Sequence, residues 1–420
     1  MVQDSKKSSA ERKRPLDGIR VLDLSRVLAG PWCTQNLADL GAQVFKIERP
    51  GTGDDTRTWG PPFLRDADGR DTSESAYFLC ANRNKQSVAI DMSSPEGAAL
   101  IREFAKTCDV VVENFKVGGL KKYGLDYASL SELNPRLVYC SITGFGQTGP
   151  LSQRAGYDFL IQGMGGLMSI TGEPDSVAGG GPEKVGVAVT DLMAGMYATT
   201  GILAALMERE KSGLGQHLDI ALLDAQLAML ANQSMNYLTT GIAPKRMGNA
   251  HPNIVPYQTF AASDGHVIVA CGNDGQFRAL CTAMNVPELA IDIRFATNSG
   301  RSVNRAELLP QLAAVFMTRT RDAWVDALEA CGVPCGPIND IEQAFGSDQA
   351  VYRGAAREIA HPVAGVAPTV ASPLRLSATP VEYNQAPPML GQHTNAVLRE
   401  VLGLDDARID ELLKAGVIGE

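Results

Sequence analysis

The stretch KVGVAVTDLMAGMYATTG, residues 184–201, sets one carboxylate, Asp191, between a short apolar run and a segment of small and apolar residues. The following residues, LMAGMYATTGILAALMERE, are apolar on nearly every side, which predicts a buried helix with Asp191 at its start. An aspartate there has two compatible roles. As an N-cap it accepts hydrogen bonds from backbone N–H groups that lack an intrahelical partner. As a nucleophile it attacks an acyl carbon in its ionised form, which a helix N-terminus favours.

Basic residues supply a second constellation: Arg49, then Arg83 and Lys85 in NRNK, the pair Lys121 and Lys122, and Arg154. Several fall at or just past expected strand ends, where open α/β sheets bind their ligands. Together they can hold the phosphates of an anionic ligand. The turn-rich GDDTRTWGPP adds Arg57 and Trp59, suited to a substrate carboxylate or to an exposed loop, and His251 in GNAHPNIVPYQTF sits in a turn where it reads as a structural histidine or as one that touches substrate. Other chemistries lack their signatures. There is no G-x-S-x-G elbow and no P-loop. The eight cysteines are scattered, CGVPC has no second pair, and the five histidines are dispersed, so no metal site is expected. The cysteines read as reduced residues of a cytoplasmic protein.

These residues need elements to position them. GIRVLDLS (18–25), AGPWCTQNLADLG (29–41) and AQVFKIERP (42–50) read as β-α-β. SVAIDM, DVVVENF and LVYCSITGFG read as further strands, and SPEGAALIREFAKTC as an amphipathic helix opened by Ser94 and Pro95. This alternation predicts a parallel, Rossmann-like sheet, yet SRVLAGPW follows the first strand where a dinucleotide fold would carry G-x-G-x-x-G. The glycine-rich residues 163–184 read as a loop. HLDIALLDA leads into a long helix, AQLAMLANQSMNYLTTG, after which the pattern changes to a smaller α+β unit containing SDGHVIVACG and QFRALCTAM. Residues 392–418 return to helical periodicity.

With 420 residues the chain exceeds what one core usually supports, so two domains are expected. The large one takes residues 14–225 and 365–420 and the small one 240–350, with linkers at 226–239 and 351–364 and a disordered tail at 1–13. The tail, MVQDSKKSSAERKRP, lacks the apolar region of a secretory signal. No apolar run approaches the roughly 18 residues of a membrane span, so no membrane partner is expected. The net charge of −9 argues against a nucleic-acid partner.

Taken together and in order, PLDGIRVLDLSRVLAGPWCTQNLADLGAQVFKIERPGTGDDTR, RNKQSVAIDMSSPEG, DVVVENF, RAGYDF, VGVAVTDLMAGMYA, GQHLDIALLDA, VPCGPIND and LGQHTNAVLRE resemble the class III CoA-transferases, the CaiB/BaiF family, over nearly the whole chain. The resemblance implies an enzyme whose nucleophile is Asp191 and whose mechanism is ping-pong through an aspartyl anhydride and an aspartyl-CoA thioester. It implies CoA contacts at Val27, Leu28 and Ala29, at Arg49, at Ile90, Asp91, Met92 and Ser93, at Asn114, Phe115 and Lys116, and at Lys122, where lysine replaces an arginine of the formyl-CoA relatives. It also implies a Rossmann-like large domain, a small domain and an interlocked-ring homodimer, with CoA thioesters and free carboxylic acids as substrates and no permanently bound cofactor.

The 2-methylacyl-CoA racemases resemble this chain too, but they pair the aspartate with a histidine in GHD. Here the motif is GYD, and a tyrosine hydroxyl keeps its proton at neutral pH, so transfer is favoured over racemisation. Tyr157 and Asp158 are then expected to shape the pocket around Asp191. The GTGDDTRTWGPPF and HPNIVPYQTF segments resemble the branch that moves CoA from succinyl-CoA to dicarboxylates, for which Arg57 and Arg154 are the candidate cations. A CoA-binding protein without turnover is the reading from another class.

Overall fold

A computed structural model describes residues 13–419, so the expected tail lies, apart from Lys13, outside the described residues. Among the described residues two compact units form: the first from 13–166, Val185–Met235 and 353–419, the second from Leu167–Lys184 and Asn236–Tyr352.

The first unit is built on six parallel strands: β1 (Arg20–Asp23), β2 (Gln43–Glu48), β3 (Lys85–Ile90), β4 (Val110–Glu113), β5 (Val138–Thr143) and β6 (His217–Ala221). Their order across the sheet is β3-β2-β1-β4-β5-β6, and Ile418–Gly419 pairs antiparallel with β3 at the edge. Side chains alternate between two buried cores, as a sheet covered on both faces requires. Val21, Val110 and Val112 point into one core with the Ala29–Asp39 and Val189–Ser212 helices. Leu22 and Val111 point into the other with the Pro95–Thr107, Thr394–Leu402 and Asp406–Lys414 helices.

The Pro95–Thr107 helix forms as its sequence dictates. The Ser94 hydroxyl accepts the Gly97 amide at 3.0 Å, Pro95 opens the first turn, and Ala98, Ile101, Phe104 and Ala105 form one buried face. Burying a side chain such as Phe104 stabilises by about 2–3 kcal/mol.

This strand order reverses direction between β1 and β4, the switch point at which doubly wound sheets bind their ligands. The loops leaving β1 and β4 are joined there: the Asn114 side chain accepts the Arg26 amide at 2.9 Å and donates to the Arg26 carbonyl at 2.6 Å.

The second unit carries a three-stranded antiparallel sheet of Tyr257–Ala262, Gly265–Ala270 and Cys335–Pro337, packed by helices around Phe260, Phe316 and the fully buried Trp324. Residues 167–184, read with the large domain, contact this unit; Arg246 donates to the Glu173 carbonyl at 3.1 Å and pairs with Asp175.

Three sequence expectations need correction. Residues 226–239, expected as a linker within one long helix, lie in two helices, Leu222–Met229 and Ala231–Thr240, which break where Ala231 takes φ of 45°. Residues 351–364 are not a linker throughout, because Ala356–His361 pairs as a strand with Gly365–Val370. Contrary to the expectation of no such run, the Val189–Ser212 helix is long and apolar enough to cross a membrane by length and composition. Ala194, Ala198 and Ile202 are nevertheless fully buried in the sheet core, which suits an internal helix.

Candidate active site

Two adjoining clefts lie at the switch point. One, of about 240 Å³, is lined by the β1 loop, the β4 loop, Arg154, Tyr157 and Asp191. The other, of about 910 Å³, is lined by Arg49, Ile90–Ser93, Lys122 and the β4 loop. Arg26, Asp55, Phe115 and Lys116 border both. Every residue expected to contact CoA lines one or other of them: Val27, Leu28, Ala29 and Asn114 the smaller, Arg49, Ile90, Asp91, Met92, Ser93 and Lys122 the larger, and Phe115 and Lys116 both. Arg49, Lys116 and Lys122 are exposed, so their charges face a solvent-filled groove.

Asp191 is not the N-cap. It is the third residue of its helix, whose N-cap position is Ala188 without a side-chain capping bond. The helix start is held from outside. Asp158 accepts the Thr190 amide at 2.8 Å on one oxygen and the Gln162 side-chain amide at 2.7 Å on the other. The Thr190 hydroxyl donates to Gln226 at 2.5 Å, and the Val185 amide donates to Gln162 at 2.9 Å. The Asp191 carboxylate is therefore left without a capping role and open to the cleft. Nor is its charged form favoured: burial, and secondly the nearby Asp158 charge, push its pKa up to about 7.

Gln162 and Gln226 were missed by sequence reasoning, although both are fully buried and hold the start of the Asp191 helix. The available signal was a lone amide in an apolar helical run, as in LLDAQLAML.

Several expected residues do something else. Arg57 is buried: it donates to both Glu48 oxygens at 2.8 Å, pairs with Glu74 at 3.3 Å and lies 3.7 Å over the Phe78 ring. A guanidinium so committed is not available to a substrate, and Arg57 lines neither cleft. Trp59 packs edge-on against Tyr77. Arg83 and Lys85 are likewise internal, paired with Asp39 at 2.5 Å and Asp23 at 3.2 Å. His251 belongs to the second unit, where its Nδ1 accepts the Asn253 and Ile254 amides at 3.0 and 3.1 Å and so anchors a turn. Of the named substrate residues, Tyr157 and Arg154 border the Asp191 cleft. Arg154 is exposed, and its guanidinium is 5.8 Å from the Phe145 ring centre.

A doubly wound α/β unit with a carboxylate and several cations gathered at its switch point defines a binding fold for anionic, nucleotide-like ligands. Residues 16–394 match the family described as CoA-transferase family III. The chain is 51% identical over 390 residues to the succinate–glutarate CoA-transferase of Agrobacterium fabrum, covering 93% of this chain and 96% of that protein. It is 45% identical over 407 residues to the succinyl-CoA:glutarate CoA-transferase of Homo sapiens, covering 97% and 90%. Among solved structures, a CaiB/BaiF family protein from Brucella suis superposes with a TM-score of 0.80 at 50% identity, over 93% of this chain and all of that one. This chain belongs to CoA-transferase family III, and it is a CoA-transferase.

Proposed function

We propose that this enzyme moves CoA from succinyl-CoA to a dicarboxylate such as glutarate, with Asp191 as the nucleophile. The observation that carries the reading is the half-buried Asp191 carboxylate in a small cleft beside Arg154, adjoining a larger groove rimmed by Arg49, Lys116 and Lys122. The groove takes the CoA moiety, whose phosphates meet the three cations. The small cleft takes the acyl group, and Arg154 takes its distal carboxylate, since Arg57 is committed elsewhere. The names of the glutarate-using relatives support the acyl class.

In the forward direction the Asp191 carboxylate attacks the thioester carbonyl of succinyl-CoA, expelling CoA thiolate and leaving a mixed anhydride. The thiolate attacks the aspartyl carbonyl, releasing succinate and forming an aspartyl-CoA thioester. The acceptor carboxylate attacks that thioester, giving a new anhydride and free thiolate. The thiolate then attacks the acceptor's acyl carbon, which releases the new acyl-CoA and restores Asp191. Activation passes from the succinyl to the aspartyl and then to the acceptor carbonyl, and is kept only while water is held away from each intermediate. The working enzyme is an interlocked homodimer in the cytoplasm; its eight free cysteines fit a reducing compartment.

Trapping tests the nucleophile. Incubation with succinyl-CoA and hydroxylamine is expected to convert Asp191 to its hydroxamate, and Asp191→Asn is expected to lose at least about a thousandfold in transfer. A fully active Asp191→Asn enzyme sinks the proposal. Arg154→Gln is expected to raise KM for glutarate about tenfold or more and to leave KM for a monocarboxylate unchanged, as loss of one charge-assisted bond implies.

A further inference from the structure

The loop that carries the cleft-lining backbone after β1 has an unusual conformation with a visible cause. Val27 takes φ of 70°, in the left-handed region that a β-branched residue avoids. Such a residue stays there only when its surroundings over-determine it. Here they do. The Val27 amide donates to both oxygens of the Asp54 carboxylate at 3.2 Å.

Asp54 is almost wholly buried and accepts from three further donors: the Lys46 ammonium at 2.8 Å, the Thr56 amide at 3.0 Å and the Thr56 hydroxyl at 2.8 Å. The Asp54 amide in turn donates to Glu48 at 3.0 Å, the carboxylate that Arg57 clamps. Lys46 is fully buried on β2 and also donates to the Ser25 carbonyl at 3.1 Å, two residues before Val27. The loop is thus gripped from both sides by one ion pair. Capping the short Asp55–Thr58 turn accounts for the Thr56 bonds of Asp54; it does not account for the reach across to Val27.

The loop ends at the Ala29–Asp39 helix, and that helix meets the one that bears Asp191. A Cβ built on Gly195 would stand 2.7 Å from the Ala29 carbonyl, so the two helices touch where the loop ends, one turn beyond Asp191. The same loop and Asp191 line the small cleft.

We propose that Asp54, charged and fixed by Lys46, is a positioning residue that holds Val27 in the left-handed conformation and so sets the Val27–Ala29 backbone at the acyl-CoA cleft beside Asp191. The inference rests on the proposal that this cleft binds the CoA thioester. It explains why an acidic residue from a distant loop is buried under the binding backbone. An ionised acceptor holds the Val27 amide more strongly than a neutral one would.

The test is rescue. In Asp54→Asn the new amide nitrogen opposes the Lys46 ammonium and the grip on Val27 weakens; KM for succinyl-CoA and the Kd for CoA by calorimetry are each expected to rise about tenfold, or about 1.4 kcal/mol, with a smaller change in kcat. Adding Val27→Gly, which adopts positive φ without steric cost, is expected to bring both constants back to within about threefold of the native values. Thr56→Val, which keeps the ion pair and removes one donor to Asp54, is expected to shift both constants about two- to threefold in the same direction, again reversed by Val27→Gly; it serves if Asp54→Asn does not fold. Unchanged CoA affinity in the folded single variants, or a loss that Val27→Gly fails to reverse, overturns the inference. The underlying reading is judged separately: if native enzyme binds no CoA or Asp191→Asn transfers at the full rate, that reading fails first.

Discussion

Asp191 carries two opposed demands. The proposed attack requires the ionised carboxylate, while burial and the neighbouring Asp158 charge lift its pKa to about 7. The free enzyme therefore holds it half-protonated near neutrality, and kcat/KM for the donor is expected to fall about tenfold per unit as pH drops below about 7. Because Asp158 is the lesser of the two causes, Asp158→Asn is expected to move this acid limb to lower pH without returning it to the usual carboxylate range. A native profile flat down to pH 5 would contradict the assignment, as would an acid limb that Asp158→Asn leaves in place. Asp158 has a second part, since the carboxylate that raises the pKa also accepts the Thr190 amide and fixes the helix start. The same change should thus lower kcat modestly even above pH 8, where Asp191 is ionised in either enzyme.

At the level of elements, the proposed catalysis depends on two of them meeting: the Ala29–Asp39 helix, which begins where the β1 loop ends, and the Val189–Ser212 helix. Gly195 allows that approach, because any side chain there runs into the Ala29 carbonyl at 2.7 Å and Trp32 at 3.2 Å. Gly195→Ala raises intrinsic helix propensity by up to about 1 kcal/mol, yet it is expected to destabilise by about 1–3 kcal/mol because the helix must withdraw. The withdrawal also carries Asp191 away from the loop, so kcat is expected to fall with the melting temperature. A melting temperature that rises, as helix propensity alone would dictate, would show that the contact is slack. Arg57 teaches the complementary lesson. Its local sequence, an arginine between polar residues in a turn-rich loop, looks exposed; Glu48 on β2 and Glu74 turn it inward.

For the molecule as a whole, the Val189–Ser212 helix buries one side in the sheet core and leaves Met196, Tyr197 and Met207 exposed, Met207 by 71%. The proposed interlocked dimer covers such a face. Solution scattering is expected to give twice the 44.7 kDa chain mass, and the melting temperature is expected to rise with protein concentration, since association stabilises only the folded state. A concentration-independent melt at the mass of one chain would exclude that assembly.

The sequence by itself determined the parallel strands, the amphipathic helices and the position of Asp191 near a helix start. These follow from periodicity and, at Ser94, from capping chemistry, which act over a few residues; the capping role expected of Asp191 itself was not among them. Its motif order also carried the family and, through it, the residues at the cleft. Only the tertiary structure decided which charges are free. Arg57, Arg83 and Lys85 read locally like Arg49, Lys116 and Lys122, but the first three meet carboxylates brought from distant strands, helices and loops, and the last three meet the cleft. It decided as well that Asp158, Gln162 and Gln226 hold the helix start while Asp191 stays open, and that Asp54 reaches Val27. Each of these is a contact between residues far apart in the chain. Nothing in a residue's near neighbours specifies the partner that folding will supply, because burial and charge pairing depend on which strand ends lie together.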